Sequence, residues 1–229
     1  FSRVPHTAII PARAGSVGFP GKNRLFFANT ADFIDSCDWF ERVIVSTDDS
    51  EIHEMAHARG YDVHERSAEL AGGAVSIKAV FEDLVPTMGV DEDEWLWLFY
   101  LPVLYKNRDD FEMALKLTTD ENLDSLCSFV PAKTHPFDCW RCDENAGTLR
   151  QYTPNDVFRR QDKPPAWQHY HYICCLRARA LPLLNSELIC EQTRPLLLDE
   201  EKAANLIEVD TKEDWQRWKK HVATKLADR

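Results

Sequence analysis

The chain has 229 residues, 44% of them hydrophobic, and a formal net charge of −11. This length and apolar content are typical of one large domain, which we place over residues 1–229. The excess of acidic side chains argues against a nucleic-acid partner and against an anionic membrane surface, and no apolar run approaches the length of a membrane span.

The first predicted strand covers residues 7–10 and ends at Pro11, where a loop with three glycines, Arg13 and Lys22 begins. Glycine lets backbone N–H groups approach an anion closely, and arginine and lysine neutralise its charge. The loop therefore predicts a phosphate site. It matches neither a Walker A loop nor G-x-G-x-x-G, and an ordinary surface turn is the alternative interpretation.

The rest of the chain alternates short apolar or β-branched runs with helical periods. The predicted strands are 42–47, 61–64, 95–101 and 125–130, and the predicted helices are 31–39, 50–59, 76–88, 109–118 and 214–226. This alternation predicts an α/β fold with a mostly parallel sheet. Ligands of such sheets bind beyond the carboxyl ends of the strands, where the Arg13 loop, Asp48–Asp49 and the Pro102 loop would meet, although Asp48 or Asp49 could equally cap a helix.

Residues 139–152 interrupt this order and predict a β-hairpin around a polar turn. We expect it to project from the domain as part of an arm at about 138–165. Trp140, Leu149 and Tyr152 are too apolar for a free arm, so we expect the arm to form a homodimer interface.

The cysteine count is odd, at seven. With no signal peptide visible, it favours reduced thiols and a cytoplasmic location. Cys139 and Cys142 could begin a zinc site completed by His135, His169 or His171, but a second pair at that spacing is missing. Buried or half-exposed thiols are the preferred interpretation.

Several stretches resemble motifs of one enzyme family. Residues 9–23 (IIPARAGSVGFPGKN) resemble I-P-A-R-x-G-S-K-G-x-P-x-K-N, the signature loop of the cytidylyltransferases that activate sialic acids and related acidic sugars. Residues 45–52 (VSTDDSEI), 66–71 (RSAELA) and 207–214 (IEVDTKED) resemble three further motifs, and 135–136 and 160–164 resemble two more. Over nearly its whole length the chain resembles the acylneuraminate cytidylyltransferases (CMP-sialic acid synthetases).

The resemblance implies a single nucleotide-binding (Rossmann-like) α/β domain with a hairpin dimerisation arm. It implies an enzyme that joins CMP from CTP to an acidic sugar, a sialic-acid-like nonulosonate, and releases pyrophosphate. Charge then builds on phosphate oxygens, which positioned cations and Mg²⁺ stabilise.

The resemblance also assigns roles to residues of this chain. Arg13, Lys22 and Asp210 would be catalytic, and Ala12, Arg13, Gly15, Ser16, Lys22 and Asn23 would bind the nucleotide. Asp210 would bind Mg²⁺ together with Glu208, which stands where the family usually has Asp; carboxylates two residues apart on an extended segment point the same way. Arg160, Gln161 and His135 would bind the sugar. The alternatives are a capping role near Asp210, a surface salt bridge for Arg160 and a structural role for His135.

Three departures from the motifs of this family leave other functions open. Val17 replaces a lysine, 100–103 (YLPV) replaces a Q-P-T-S-like stretch, and 169–175 (HYHYICC) replaces an N-G-x-I-Y-like segment. Bulky side chains in the last segment would narrow the pocket. The chain could use another acidic acceptor, such as an eight-carbon sugar acid or a phosphonate, or it could be a binding or assembly protein that has lost catalysis.

Overall fold

The computed structural model describes residues 3–120 and 122–228, which form a mixed α/β structure. The strands are β1 (His6–Pro11), β2 (Arg42–Thr47), β3 (Asp62–Glu65), β4 (Trp95–Leu98), β5 (Ser125–Pro131), β6 (Trp140–Asp143), β7 (Thr148–Gln151), β8 (Trp167–Arg177) and β9 (Arg194–Leu197). Seven of them form one sheet in the order β3-β2-β1-β4-β8-β5-β9. Only β8 runs antiparallel to its neighbours. The predicted fold class is confirmed.

The helices are α1 (Lys22–Ser36), α2 (Ser50–Ala58), α3 (Ile77–Thr87), α4 (Arg108–Asp120), α5 (Glu200–Ala203) and α6 (Lys212–Ala227). The prediction for 31–39 was wrong, because the helix begins at Lys22 and ends at Ser36. Gly21 precedes it with a φ of 75°, a left-handed conformation that glycine adopts without a Cβ clash. Lys22 and Asn23 therefore lie in a first helical turn rather than in a loop. None of the helices in the described ranges has the length and hydropathy that crossing a membrane requires.

Two strands of the main sheet, β8 and β9, were not predicted. The central part of β8 is buried from Tyr172 to Leu176, so it shows no alternation of polar and apolar residues. The predicted strand 95–101 is shorter than expected, since β4 ends at Leu98 and the chain then turns towards Pro102. The predicted hairpin is present as a separate two-stranded sheet of β6 and β7.

Apolar side chains cover both faces of the main sheet. One cluster packs α1 and α4 residues such as Phe26, Phe27 and Phe111 against β1 and β4, and the other packs Phe81 and Leu84 of α3 against the opposite face. Burial on both faces fixes the strands rigidly. The loops at their carboxyl ends are thereby held in place.

His6 at the start of β1 is buried and accepts a hydrogen bond at Nδ1 from Trp97 Nε1, 3.0 Å away. Burial, with smaller contributions from Arg3 and Arg177, lowers the pKa of His6 to about 4. The unfolded chain has a pKa of about 6.5 at this residue and takes up the proton first as the pH falls. We expect His6 to contribute stability above about pH 6.5 and to lose about 3 kcal/mol of it between there and about pH 4.

The measurement is urea unfolding across this pH range. The matched control is His6→Asn, because the Asn Oδ1 accepts from Trp97 but does not titrate. Its stability should fall less steeply with decreasing pH than that of the unmodified protein. Equal slopes would show that His6 does not carry this dependence.

Candidate functional site: a cationic cleft at the carboxyl edge of the sheet

A cleft of about 240 Å³ opens where the loops after β1, β3 and β4 meet the segment before α6. Its walls contain most of the residues predicted from the first loop and both predicted metal ligands. The lining residues include Arg13, Gly15, Ser16, Lys22, Asn23, Arg66, Gly73, Tyr100, Pro102, Glu208 and Asp210. Stretches more than a hundred residues apart in sequence thus contribute to one concave surface, as the topology predicts.

Hydrogen bonds to its backbone hold the loop after β1 in place. Ala12 is buried beneath the cleft, where its N–H donates to the Ser46 carbonyl at 2.8 Å and its own carbonyl accepts from Thr47 Oγ1 at 2.6 Å. The Asn23 amide donates to the Arg13 carbonyl at 3.0 Å. Ala12 and Asn23 therefore hold the loop, and Asn23 also reaches the cleft wall.

Arg13 is the cation of this loop that is available to a ligand. Among the residues that the structure describes, no carboxylate lies within ion-pair distance of its guanidinium group. The group lies against Gly73, where an added Cβ would come within 3.3 Å of Nη1. The half-buried Arg13 thus presents an uncompensated positive charge to the cleft, which favours an anionic ligand.

Lys22 and Asp210 meet across the cleft. Lys22 Nζ donates to Asp210 Oδ1 at 2.6 Å, although the two residues are 188 positions apart. Gly18 allows this approach, because a Cβ there would come within 2.9 Å of the Asp210 carbonyl oxygen. The glycine-rich loop and the C-terminal segment therefore form one unit.

The segment with Glu208 and Asp210 is tied to the loop after β4. Glu208 forms an isolated antiparallel bridge with Val103, and the Val209 N–H donates to the Pro102 carbonyl at 3.0 Å. Thr211, rather than Asp210, caps α6 in a capping box with Asp214. The capping alternative thus applies to Thr211, and the Asp210 carboxylate is left facing Lys22.

Glu208 lies close enough to Asp210 for the two carboxylates to interact unfavourably. Enclosure by the cleft walls raises the pKa of Glu208, the charge of Asp210 raises it further, and Lys22 opposes both. Glu208 is exposed to solvent, but the cleft walls around its carboxylate remove enough water to raise its pKa. A cation between the two carboxylates would relieve this repulsion.

The two candidate aspartates after β2 have different partners. Asp49 caps α2 by accepting from the Glu51 N–H and pairs with Arg24 at 2.8 Å. Asp48 accepts from the Ala14 N–H at 2.7 Å and so holds the loop after β1. Both carboxylates are satisfied within the protein.

The predicted sugar-binding residues lie elsewhere. His135 and Arg160 line a second cavity of about 510 Å³ at the base of the arm, and Gln161 is exposed next to it. Within residues 3–120 and 122–228, the two cavities share no lining residue. His135 Nε2 donates to the Pro164 carbonyl at 2.7 Å and its Nδ1 accepts from the Phe137 N–H, so this ring is engaged in shaping the arm. Arg160 has no acidic partner in the part of the chain that the structure describes.

A third cation of the cleft, Arg66, was not assigned a role from the sequence. It follows β3 directly, so the argument that placed the other loops at this edge would have found it. Its Nε donates to Ser46 Oγ at 3.2 Å; Ser46 also contacts His64 Nδ1 at 2.8 Å, and His64 Nε2 contacts Asp83 at 2.7 Å. Burial lowers the pKa of Arg66, with Asp48 opposing this and Arg13 adding to it.

The residues that depart from the family motifs differ in how close they lie to the cleft. Val17 is fully exposed, and Tyr100 lines the cleft. Tyr172 is buried away from the cleft, where its hydroxyl donates to Asp110 at 2.9 Å. Tyr170 lies near Glu208 and Asp210, which add to the effect of burial in raising its pKa. Its buried hydroxyl has no hydrogen-bond partner among the described residues.

The fold and this cleft define an α/β protein with a cleft lined by Arg13, Lys22 and Arg66 at the carboxyl edge of its sheet. Residues 7–89 match the sequence model of a family described as "Cytidylyltransferase". An N-acylneuraminate cytidylyltransferase of Streptococcus agalactiae is 28% identical over 167 residues, which cover 69% of this chain and 40% of that protein. A CMP-N,N'-diacetyllegionaminic acid synthase of Legionella pneumophila is 27% identical over 220 residues, covering 91% of this chain and 92% of that protein.

Solved structures show the same fold. A CMP:2-keto-3-deoxy-manno-octonic acid synthetase in complex with CTP superposes with a TM-score of 0.66 at 16% identity, covering 96% of this chain and 99% of that one. A 2-C-methyl-D-erythritol 4-phosphate cytidylyltransferase of Francisella tularensis superposes with a TM-score of 0.59 at 14% identity, covering 93% and 99%. The chain is thus similar to cytidylyltransferases in its N-terminal residues 7–89 and, at 27–28% identity, to two enzymes that act on sugar acids. It spans about 40% of the length of the Streptococcus relative.

Proposed function

We propose that the chain is a CTP-dependent nucleotidyltransferase that joins CMP to a sialic-acid-like acidic sugar and releases pyrophosphate. The observation that carries the proposal is one cleft in which Arg13, Lys22 and Arg66 face Glu208 and Asp210. Three cations suit a triphosphate, and two carboxylates suit the metal ion that accompanies it. The names of the two sugar-acid relatives support the acceptor class.

In the proposed reaction a hydroxyl oxygen of the sugar forms a bond to the α-phosphorus of CTP. The bond from that phosphorus to the bridging oxygen breaks, the hydroxyl proton is lost, and pyrophosphate leaves with the bond electrons. Negative charge grows on the leaving group. Arg13 and Lys22 are placed to neutralise it, and backbone N–H groups around Gly15 and Ser16 are available to the phosphate oxygens.

We propose that Glu208 and Asp210 hold Mg²⁺. Both are hard oxygen donors of the kind this ion prefers. Burial raises the pKa of Glu208 and the charge of Asp210 raises it further, and a cation bound here would stabilise both carboxylates in their charged form. When bound, the ion would neutralise phosphate charge and orient the triphosphate. Asp210 would then exchange its contact with Lys22 for the ion, which frees the Lys22 ammonium group for phosphate oxygens.

The acceptor's carboxylate needs a cation outside the triphosphate subsite. Arg160 is available for this role, and Gln161 lies beside it, but they flank the second cavity rather than the cleft. Tyr170 lies near Glu208 and Asp210, but its hydroxyl is buried and it does not line the cleft, so it is not assigned an acceptor contact. His135 acts in this proposal by positioning the arm.

We also propose that the chain forms a homodimer through its arm. Trp140, Leu149 and Tyr152 are 51%, 66% and 68% exposed, and an isolated two-stranded hairpin is marginally stable in water. Light scattering should show a dimer of the unmodified chain. Deleting residues 138–152, or replacing the three apolar side chains with serine, should give a monomer or an aggregate. A monodisperse monomer of the intact chain would contradict the proposal.

Pyrophosphate release from CTP and Mg²⁺ with a panel of acidic acceptors tests the function. The panel contains N-acetylneuraminate, a diacetylated nonulosonate, an eight-carbon sugar acid and a phosphonate. Release only with a nonulosonate supports the proposal, whereas release with another acceptor alone replaces the proposed substrate. CTP binding without release from any acceptor would favour a binding protein on the same fold.

A further inference from the structure

The segment 169–175, which departs from the family's motif, brings two thiols and an imidazole together. Cys127 of β5 and Cys174 of β8 are direct partners across the antiparallel pair, and both are buried on the face of the sheet that packs against α3. One ring nitrogen of His171 and the two sulfur atoms all lie within 4.8 Å of one another.

A β-bulge creates this arrangement. Cys127 pairs with Cys174 but Phe129 pairs with His169, so β8 has additional residues opposite Ser128. Ser128 Oγ secures the bulge by donating to the Tyr170 carbonyl and accepting from the Ile173 N–H. A regular strand would place residues 171 and 174 on opposite faces, and the bulge redirects His171 to the face of Cys174.

The imidazole is oriented as in a metal site. His171 Nε2 lies 2.8 Å from the Glu187 carbonyl, which only accepts, so Nε2 carries the proton and Nδ1 keeps its lone pair. A backbone carbonyl that fixes the tautomer in this way is typical of metal-binding histidines. Glu187 Oε2 lies 3.7 Å from Nδ1, so this carboxylate flanks the imidazole but lies outside the cluster of three donors.

We propose that Cys127, His171 and Cys174 form a zinc site, with Glu187 or a water molecule completing a tetrahedron. Thiolate sulfur with imidazole nitrogen is a donor set that favours Zn²⁺ over Mg²⁺. Tetrahedral donors around Zn²⁺ are roughly 3.3–3.8 Å apart. The sulfur and nitrogen atoms would therefore need to move only slightly closer together to bind the ion. The half-exposed Glu187 marks the side from which the ion enters.

The site adjoins the cationic cleft but is distinct from the proposed Mg²⁺ site. The ring of His171 lies 5.5 Å from that of Tyr100, which lines the cleft. Bound zinc would therefore fix the position of a cleft wall. It would also account for two departures from the family motifs, since 100–103 and 169–175 meet here.

The test measures metal binding rather than turnover. Cys139 and Cys142 are first replaced by serine, which removes the thiols of the arm, and the protein is stripped of metal under a thiol reductant. We expect one equivalent of Zn²⁺ per chain in a competition titration, and a thiolate-to-metal charge-transfer band with Co²⁺. Cys127→Ser and Cys174→Ser should each lose that band. Glu187→Gln should weaken zinc binding roughly 10–100-fold if the carboxylate supports the site.

Cys175→Ser is the matched control, because this neighbouring thiol is equally buried but lies on the other face of the sheet. It should keep both the stoichiometry and the cobalt band. If the buried serine variants fail to fold, the zinc stoichiometry, the cobalt band and a zinc-dependent rise in the melting temperature of the parent protein, compared with those of Cys175→Ser, decide the question. Absence of stoichiometric zinc and of the cobalt band in the parent, or an undiminished band in Cys174→Ser, would overturn the proposal.

Discussion

Replacing Arg13 with alanine is expected to lower the rate constant of pyrophosphate release on the order of 10²–10³-fold and to weaken CTP binding. Arg13 is the cation of the loop after β1 without an acidic partner among the described residues, so its charge is available to the proposed triphosphate. A loss of this size is typical of removing one preorganised donor from a developing negative charge. Stopped-flow or coupled pyrophosphate assays and CTP titration calorimetry measure both effects.

Lys22→Ala should cause a loss of the same order, since Lys22 lies in the same cleft opposite Asp210. Arg13→Lys keeps the positive charge but removes the planar guanidinium group. Comparing this variant with Arg13→Ala shows how much of the lost activity depends on charge alone. Lys220→Ala is the charge-matched control, as Lys220 is exposed on α6 outside the cleft. Unchanged CTP affinity and turnover in both alanine variants would remove the phosphate loop from the mechanism.

Asp210→Asn should abolish turnover while leaving the fold nearly intact. The substitution removes the negative charge of one of the two proposed Mg²⁺ ligands but keeps the volume of the side chain. The Asp210 side chain is 55% exposed, so loss of its ion pair with Lys22 should cost about 1 kcal/mol or less. For a chain of this size that corresponds to a melting-temperature shift of about 2–4 °C. Turnover and thermal unfolding, measured on the same preparation, separate the two effects.

Glu208→Asp is the companion variant. It restores the residue that the family motif usually has and keeps a hard oxygen donor, so turnover should stay within roughly tenfold of the unmodified chain. Raising the Mg²⁺ concentration should rescue Glu208→Asp more readily than Asp210→Asn. Robust turnover of N-acetylneuraminate, undiminished in Asp210→Asn, would refute the proposed metal role.

The loop at residues 11–23 shows which features of the site can be predicted from a short stretch of sequence. Its glycines, Arg13 and Lys22 predicted a phosphate site, and Gly15, Arg13 and Lys22 do line the cleft. The helix that begins at Lys22 was missed because its buried positions are interspersed with polar residues, and its beginning depends on Gly21 adopting a left-handed conformation. Likewise, β8 was missed because burial on both faces removes the alternation by which strands are recognised.

Local sequence patterns were enough to predict the alternation of strands and helices, and with it a mostly parallel sheet that gathers its loops at one edge. They also identified the residue types proposed to bind a triphosphate and a metal ion. The packing of the folded chain was needed to show that Lys22 pairs with Asp210, that Arg66 joins the cleft, and that Arg160 faces a different cavity. It also decided that a bulge places His171 beside Cys127 and Cys174. Such contacts join residues far apart in the chain, and their geometry depends on strand order and register, which local patterns of hydropathy do not encode.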